Sequence, residues 1–264
     1  MTYPGLRNRH RTTVSRAAPA QSPHSPLPPP IPPPMPPPIP PPSGHPATTT
    51  SNDNGSDFER QAFHLIPAQV RMIAGCHTEQ TSADVRNVLH TSNLPNPAGR
   101  AGGACTSALL DILYQDHHKQ KQQYTTTTTS ESPNLTFQQL LLQLRSKLAA
   151  QGMDQIPQLT SSRPLDVQAT PFDLGGHTGT KRALLIGINY NGQDGELRGC
   201  HNDVYNMQQY LIQVHGFPPH HILKLVDDGQ NAAPTRQNII RALRQLVVQS
   251  IAGDAVFVLY SGKF

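Results

Sequence analysis

Cys200 opens the stretch Cys200-His201-Asn202-Asp203 at what reads as the entry to a helix, where the positive end of the helix dipole favours a thiolate. Asp203 follows one turn later on the same face. A sulfur nucleophile needs a base within hydrogen-bond reach, most often an imidazole. A plainer reading makes Cys200 a small buried hydrophobe and Asp203 an acid of the first helical turn. Both readings stand on these residues alone. The other two cysteines, Cys76 and Cys105, lie far away in sequence, and no CxxC spacing occurs. Three widely spaced thiols suggest neither a disulfide framework nor a zinc site, and favour a reducing, cytoplasmic setting. Asp227-Asp228 is an acidic pair, but two adjacent carboxylates do not make a six-ligand calcium site, so no metal is assigned. His117-His118 reads as a solvated pair. The stretch INYNGQDGEL, 188–197, is neither GxGxxG nor a Walker loop, which disfavours a nucleotide-binding half-domain.

These residues need elements to position them. KRALLIGINY, 181–190, is a short apolar run that reads as a buried parallel strand. Val204, Met207, Leu211 and Val214 recur at helical spacing, with Gly216 as the stop and Pro218 beyond it. HILKLV, 221–226, is a second strand, closed by Asp227-Asp228. Thr235 caps a second helix, whose Ile239, Ile240, Leu243, Leu246 and Val247 are expected to face inward. AVFVLY, 255–260, is a third strand. The order βαβαβ predicts an α/β fold, a parallel sheet flanked by helices and incomplete as half of a doubly wound sheet. Ligands of such sheets sit beyond the carboxyl ends of the strands, which here carry Asn189, Asp227 and Ser261.

Upstream, VRMIAGCHTEQTSADV, 70–85, reads as a strand and a polar turn. GRAGGACTSALLDIL, 99–113, is a glycine-rich approach to an apolar helix. TFQQLLLQLRSKL, 136–148, is a helix capped by Thr136, with Phe137, Leu141, Leu144 and Leu148 inward. Asn134 begins a glycosylation sequon, but the helix cap is the better account of Thr136. QIPQLTSSRPLD, 155–166, is extended. Residues 115–133, rich in Gln, His, Lys and Thr, read as a low-complexity surface insertion.

The chain has 264 residues, 27 prolines, no Trp and a net charge of +4. The positive charge gathers early, with Arg7, Arg9, Arg11 and Arg16 all preceding the first acid, Asp53. It forms no basic stripe on a module, so nucleic acid is not an expected partner. No apolar run reaches a membrane span, and no signal-peptide core follows Met1. The acid-free, Arg-rich start is expected to be a plain disordered tail, with an organelle transit peptide as the alternative. Residues 26–42, PLPPPIPPPMPPPIPPP, predict a polyproline II rod of about 50 Å. It suits either docking to SH3, WW or profilin-like partners or a stiff spacer. Residues 43–55 form a joint, which sets the expected domains at 1–55, 56–175 and 176–264.

KRALLIGINY, LRGCHNDV, PTRQNI and GDAVFVLYSG, in that order, resemble the start of the large-subunit domain of metacaspases, a family of caspase-like cysteine endopeptidases. The blocks of 56–175 resemble the family's small-subunit domain: its SGCxDxQTSAD turn, its GAxTxAFL helix and its QxPQLSS tail. Here the small-subunit-like region comes first, as in type III metacaspases. The resemblance implies a caspase-like sheet and cleavage after Arg or Lys. It implies substrate-pocket roles for Cys200, Asp203 and Ser261, with the Asp203 carboxylate pairing with a basic side chain. The family's catalytic His follows Tyr-Ser-Gly, and Lys263 stands at that position. The segment that would carry the nucleophilic Cys is not among the 264 residues. An ordinary Lys, with a pKa of about 10.4, does not replace imidazole. The expectation is therefore a peptidase-family chain without its dyad, inactive as given, with a non-catalytic pseudo-protease or Pro-rich interaction protein as the alternative. The family's usual calcium site would lie beyond Phe264, so no cofactor is expected here.

The last residues, Gly262-Lys263-Phe264, can be encoded by a string containing GTAAGT, a common intron start. The expectation is a large-subunit domain cut short by a retained intron, with a gene-model error, an assembly gap or a truncated allele as alternatives. Such a product is expected to be marginally stable and prone to aggregate, because its last strand would expose an edge and an apolar face.

Overall fold

Alternate residues of a strand point to opposite faces, so an uninterrupted apolar run needs cover on both. The strand at Lys181–Gly187 meets this requirement. Its Ala183 and Leu185 enter one apolar cluster, while Leu184 and Ile186 enter another across the sheet. The computed structural model describes residues 67–77, 80, 82–86, 94–95, 101–126, 135–175 and 178–263. The Pro-rich head at 1–55, residues 127–133 of the expected insertion, Asn134 of the sequon and Phe264 lie outside the described residues.

The described strands in chain order are β1 (Arg71–Ala74), β2 (Asp84–Val85), β3 (Gly102–Gly103), β4 (Gln158–Ser161), β5 (Lys181–Gly187), β6 (Ile222–Val226) and β7 (Ala255–Ser261). The helices are α1 (Ala104–Thr126), α2 (Phe137–Ala150), α3 (Cys200–Gln213) and α4 (Arg236–Val248). Strands β5, β6 and β7 form a parallel sheet in the order β6-β5-β7. The chain thus moves from β5 outward to β6 and then back across to β7. Two right-handed crossovers running in opposite directions put their helices on opposite faces. Accordingly, α3 packs through Val204, Met207 and Leu211 on the side of Ala183 and Leu185. Helix α4 packs through Ile239, Ala242 and Leu246 on the side of Leu184 and Ile186. The expected α/β architecture is present.

Two antiparallel pairs lie outside this sheet, β1 with β4 and β2 with β3. Helices α1 and α2 carry Ala108, Leu110, Leu140, Leu144 and Leu148 into the same cluster as β5 and α3, so one core joins the residues before and after 176. At the N-terminus of α2, Thr136 accepts from the Gln139 backbone while the Gln139 side chain accepts from the Thr136 N–H, a reciprocal capping box. Asp111 of α1 is buried and pairs with Lys147 of α2.

Three expectations are corrected. Helix α1 does not end with the apolar stretch at 113; it continues through Thr126, into the residues read as a low-complexity surface insertion. Gln and Lys are good helix formers, and propagating an existing helix costs far less than nucleating one. In α2 the inward residue is Leu140, 1% exposed, rather than Leu141, which is half-buried. In α4, Leu243 and Val247 face outward, Val247 at 75% exposure, because Ala242 makes the close contact with the sheet and rotates them away.

Candidate functional site

The reversal of strand order at β5 opens a crevice at its carboxyl end, the place where such sheets bind ligands. Three strand ends and the start of α3 converge there. After β5 the chain passes Ile188 and Asn189 and turns at Tyr190, the one described non-glycine residue with positive φ (56°). Asn189 is buried, and its Oδ1 accepts the N–H of Cys200 at 3.0 Å, supplying the cap that Gly199 cannot. The Asn189 and Tyr190 N–H groups both donate to Asp227, each at 2.9 Å. His201 Nε2 sits 2.5 Å from the same carboxylate. Burial pushes the Asp227 carboxyl up, but these bonds outweigh it and hold it below its ordinary range.

Asp203, one turn into α3, is 1% exposed. Its Oδ1 accepts from the Gly103 N–H at 2.9 Å, and its Oδ2 from the Ser261 hydroxyl at 2.7 Å. Burial pushes the carboxyl up to about 6, against the bonds from Ser261, Gly103 and Thr106 and reinforced by Asp84. Ser261 also bonds to Cys200. The three residues singled out for a pocket, Cys200, Asp203 and Ser261, thus come together as one hydrogen-bonded cluster. Burial raises the Cys200 thiol to about 11, opposed by Ser261 and aided by Asp203 and Asp84. Desolvation and two carboxylates therefore outweigh the helix dipole and favour the protonated form of the Cys200 thiol. Cys105 is likewise held protonated, at about 12, by burial and by Asp203.

Lys263 is not brought into this cluster. Its Nζ donates to the Asp194 carbonyl at 3.3 Å and lies 5.4 Å from the centre of the Tyr190 ring. Its carbonyl accepts from the Tyr260 hydroxyl at 2.8 Å. The Asp227-Asp228 pair does not fit a calcium ion. Asp227 is occupied as described, and Asp228 accepts from Gln230, Asn231 and Tyr205, which together hold it far below the usual carboxylate range despite its burial. Among the described residues no group of three or more His, Cys, Asp or Glu side chains could hold a metal.

Sequence reasoning missed the upstream wall. Gly103 and Thr106 reach Asp203 from about a hundred residues earlier, and Asp84 accepts the Arg198 N–H at 2.7 Å. A Cβ on Gly199 would meet Asp84 Oδ1 at 2.3 Å and Gly102 Cα at 2.5 Å; one on Gly103 would meet Asp203 Oδ2 at 2.6 Å. The signal available in the sequence was the pair Gly102-Gly103 ahead of α1, a sign of close backbone approach whose partner no local pattern identifies.

Residues 181–264 match the family model described as metacaspase, peptidase C14 domain. Metacaspase III c of Phaeodactylum tricornutum is 49% identical over 208 residues, covering 78% of this chain and 58% of that protein. That alignment is longer than 181–264 and so extends into the preceding blocks, in the same order. Metacaspase-1 of Botryotinia fuckeliana is 47% identical over 97 residues, 36% of this chain and 23% of the relative. Metacaspase-1A of Aspergillus oryzae is 51% identical over 87 residues, 32% of this chain and 21% of the relative. The chain therefore spans under two thirds of the length of the relatives it matches.

Proposed function

Because the chain belongs to the metacaspase family of caspase-like peptidases, we propose that the Cys200, Asp203 and Ser261 cluster receives an Arg or Lys side chain of a protein substrate. The observation that carries this reading is a carboxylate withdrawn from water at the carboxyl rim of the sheet, with no basic side chain described as its partner. The Asp203 carboxylate accepts from Gly103, Ser261 and Thr106, and release of the Ser261 hydroxyl would leave it two of its roughly four lone-pair sites for an incoming group. A guanidinium arriving there gains a charge-assisted, bidentate bond in a low-dielectric site. Gly103 and Asn189 keep the acceptor and the start of α3 in place while Ser261, whose hydroxyl can rotate, gives way.

Hydrolysis is a separate question. A cysteine peptidase needs a thiolate beside an imidazole. Of the thiols here, Cys200 and Cys105 are held protonated, and the position matching the family's base is Lys263. In our reading these 264 residues recognise basic peptides without cleaving them, and the Pro-rich segment 26–42 serves as a tether or as a ligand for SH3, WW or profilin-like domains. A fluorescent peptide containing one arginine tests the pocket by anisotropy. Asp203→Asn is expected to weaken binding by about 30-fold or more, with no turnover of a fluorogenic arginine substrate by either protein. Binding that ignores Asp203→Asn overturns the pocket. Turnover that disappears on Cys200→Ala overturns the non-hydrolytic reading.

A further inference from the structure

The amino end of the parallel sheet carries a polar group of side chains on its α4 face. Strand alternation puts Arg182 of β5 on the side of Leu184 and Ile186, and Leu223 of β6 on the side of Leu225. Helix α4 covers this face, and beside its last turns lies a groove of 470 Å³. Arg182, His221, Leu223, Gln245, Leu246 and Gln249 are among the residues that line it. The strand from Arg182 to Gly187 spans about 16 Å, so the groove stands apart from the Asp203 cluster at the opposite end of the sheet.

The Nδ1 atom of His221 is buried and has no hydrogen-bond partner among the described residues. Its ring is held edge-on by His220, with centroids 4.3 Å apart and planes at 66°. A buried polar atom left unpaired forfeits its hydration without return, and native structures nearly always supply it a partner. With the proton on Nδ1, the imidazole presents a donor there and an acceptor at Nε2. Arg182 spends Nη1 on Asp254 at 2.5 Å. The Asp254 oxygens also accept from the Thr180 and Ile251 N–H groups. Asp254 thus takes one edge of the planar guanidinium, and the remaining donors suit a second acceptor. Leu223, 43% exposed, and Leu246 give the same groove an apolar side. We propose that this groove binds a carboxylate carried on a small apolar body. The carboxylate oxygens take the His221 Nδ1–H and the Arg182 guanidinium, and the body lies against Leu223 and Leu246.

Calorimetric titration of the full chain with octanoate tests this, with octanol and octylamine as matched chains that lack the carboxylate. Octanoate is expected to bind one to one, at least about tenfold more tightly than either control. At ten times its Kd it is expected to raise Tm by about 3 °C or more. His221→Phe and Leu223→Glu are each expected to weaken octanoate by at least about tenfold, while Asp203→Asn leaves its affinity unchanged. Leu223 is exposed, so Leu223→Glu keeps the test open if His221→Phe does not fold. N-acetylleucine, which ends as a peptide C-terminus does, separates the two sources of this chemistry: tighter binding than octanoate names a chain end, weaker binding a free acid. Three outcomes overturn the proposal: binding of neither carboxylate, octanol binding as tightly as octanoate, and octanoate binding that survives either substitution in the groove.

Discussion

A carboxylate stripped of water as completely as Asp203 holds its charge at a cost, and that cost has a defined pH window. Its pKa rises from 3.8 unfolded to about 6 folded. Below pH 4 both states carry the proton and the term is absent. Between about 4 and 6 the native state keeps a proton that the unfolded chain has lost, so stability falls as pH rises, by on the order of 3 kcal/mol in all. His215 acts oppositely. Burial, then Lys181, lowers it from 6.5 to about 4, so the unfolded chain takes up its proton first and stability rises with pH over nearly the same window. The two slopes offset each other in the unmutated protein. Asp203→Asn keeps an acceptor for Gly103 and turns the other atom into a donor toward Ser261. We expect its Tm at pH 7 to equal or exceed that of the unmutated chain, and its stability to drop more steeply from pH 6.5 to 4. Superimposable pH profiles for the two proteins would refute the assignment. A side chain that lowers stability yet stays well bonded fits the role proposed for Asp203 in receiving a basic residue.

At the scale of elements, the capping box of α2 and the apolar flank of β7 make opposite contributions. Thr136→Ala removes an acceptor that nothing nearby replaces and is expected to cost about 1 kcal/mol, read from the shift of a urea midpoint at constant slope. Strand β7 borders β5 on one side and has no partner on the other among the described residues. Its Val256 and Val258 are each nearly half exposed, as are Val247, Val248 and Ile251 of the α4 segment to a greater degree. An edge with no Pro, Lys or bulge invites pairing with another chain. Val258→Lys is expected to reduce concentration-dependent association in light scattering with little loss of Tm; an unmutated chain that stays monomeric at high concentration would refute this. These elements also separate what the sequence shows from what it hides. The β5 run, the caps at Thr136 and Thr235 and the order βαβαβ are local patterns, legible from a few neighbouring residues. The phase of α2 at Leu140 and the outward turn of Leu243 are not, because they depend on which face a distant partner covers.

The whole molecule depends on contacts of long sequence separation, the kind no local pattern encodes. Cys200, Asp203 and Ser261 are legible as a set through the family motifs that carry them, but their wall of Gly103, Thr106 and Asp84 belongs to a stretch about a hundred residues away. The core has the same composition. Ala183, Leu185, Val204, Met207 and Leu211 share one cluster with Ala104, Ala108, Leu110, Leu113 and Leu144. Removing the upstream residues would bare the α3 side of the sheet and leave the buried Asp203 without the N–H of Gly103. Residues 181–264 expressed alone are therefore expected to show no cooperative melt and no native near-ultraviolet signal. Adding residues 67–175 as a second polypeptide should restore both, because the interface between the two pieces is the main apolar core rather than a linker. A sharp transition from 181–264 alone, at the Tm of the full chain, would mean that the parallel sheet folds without the residues that wall Asp203.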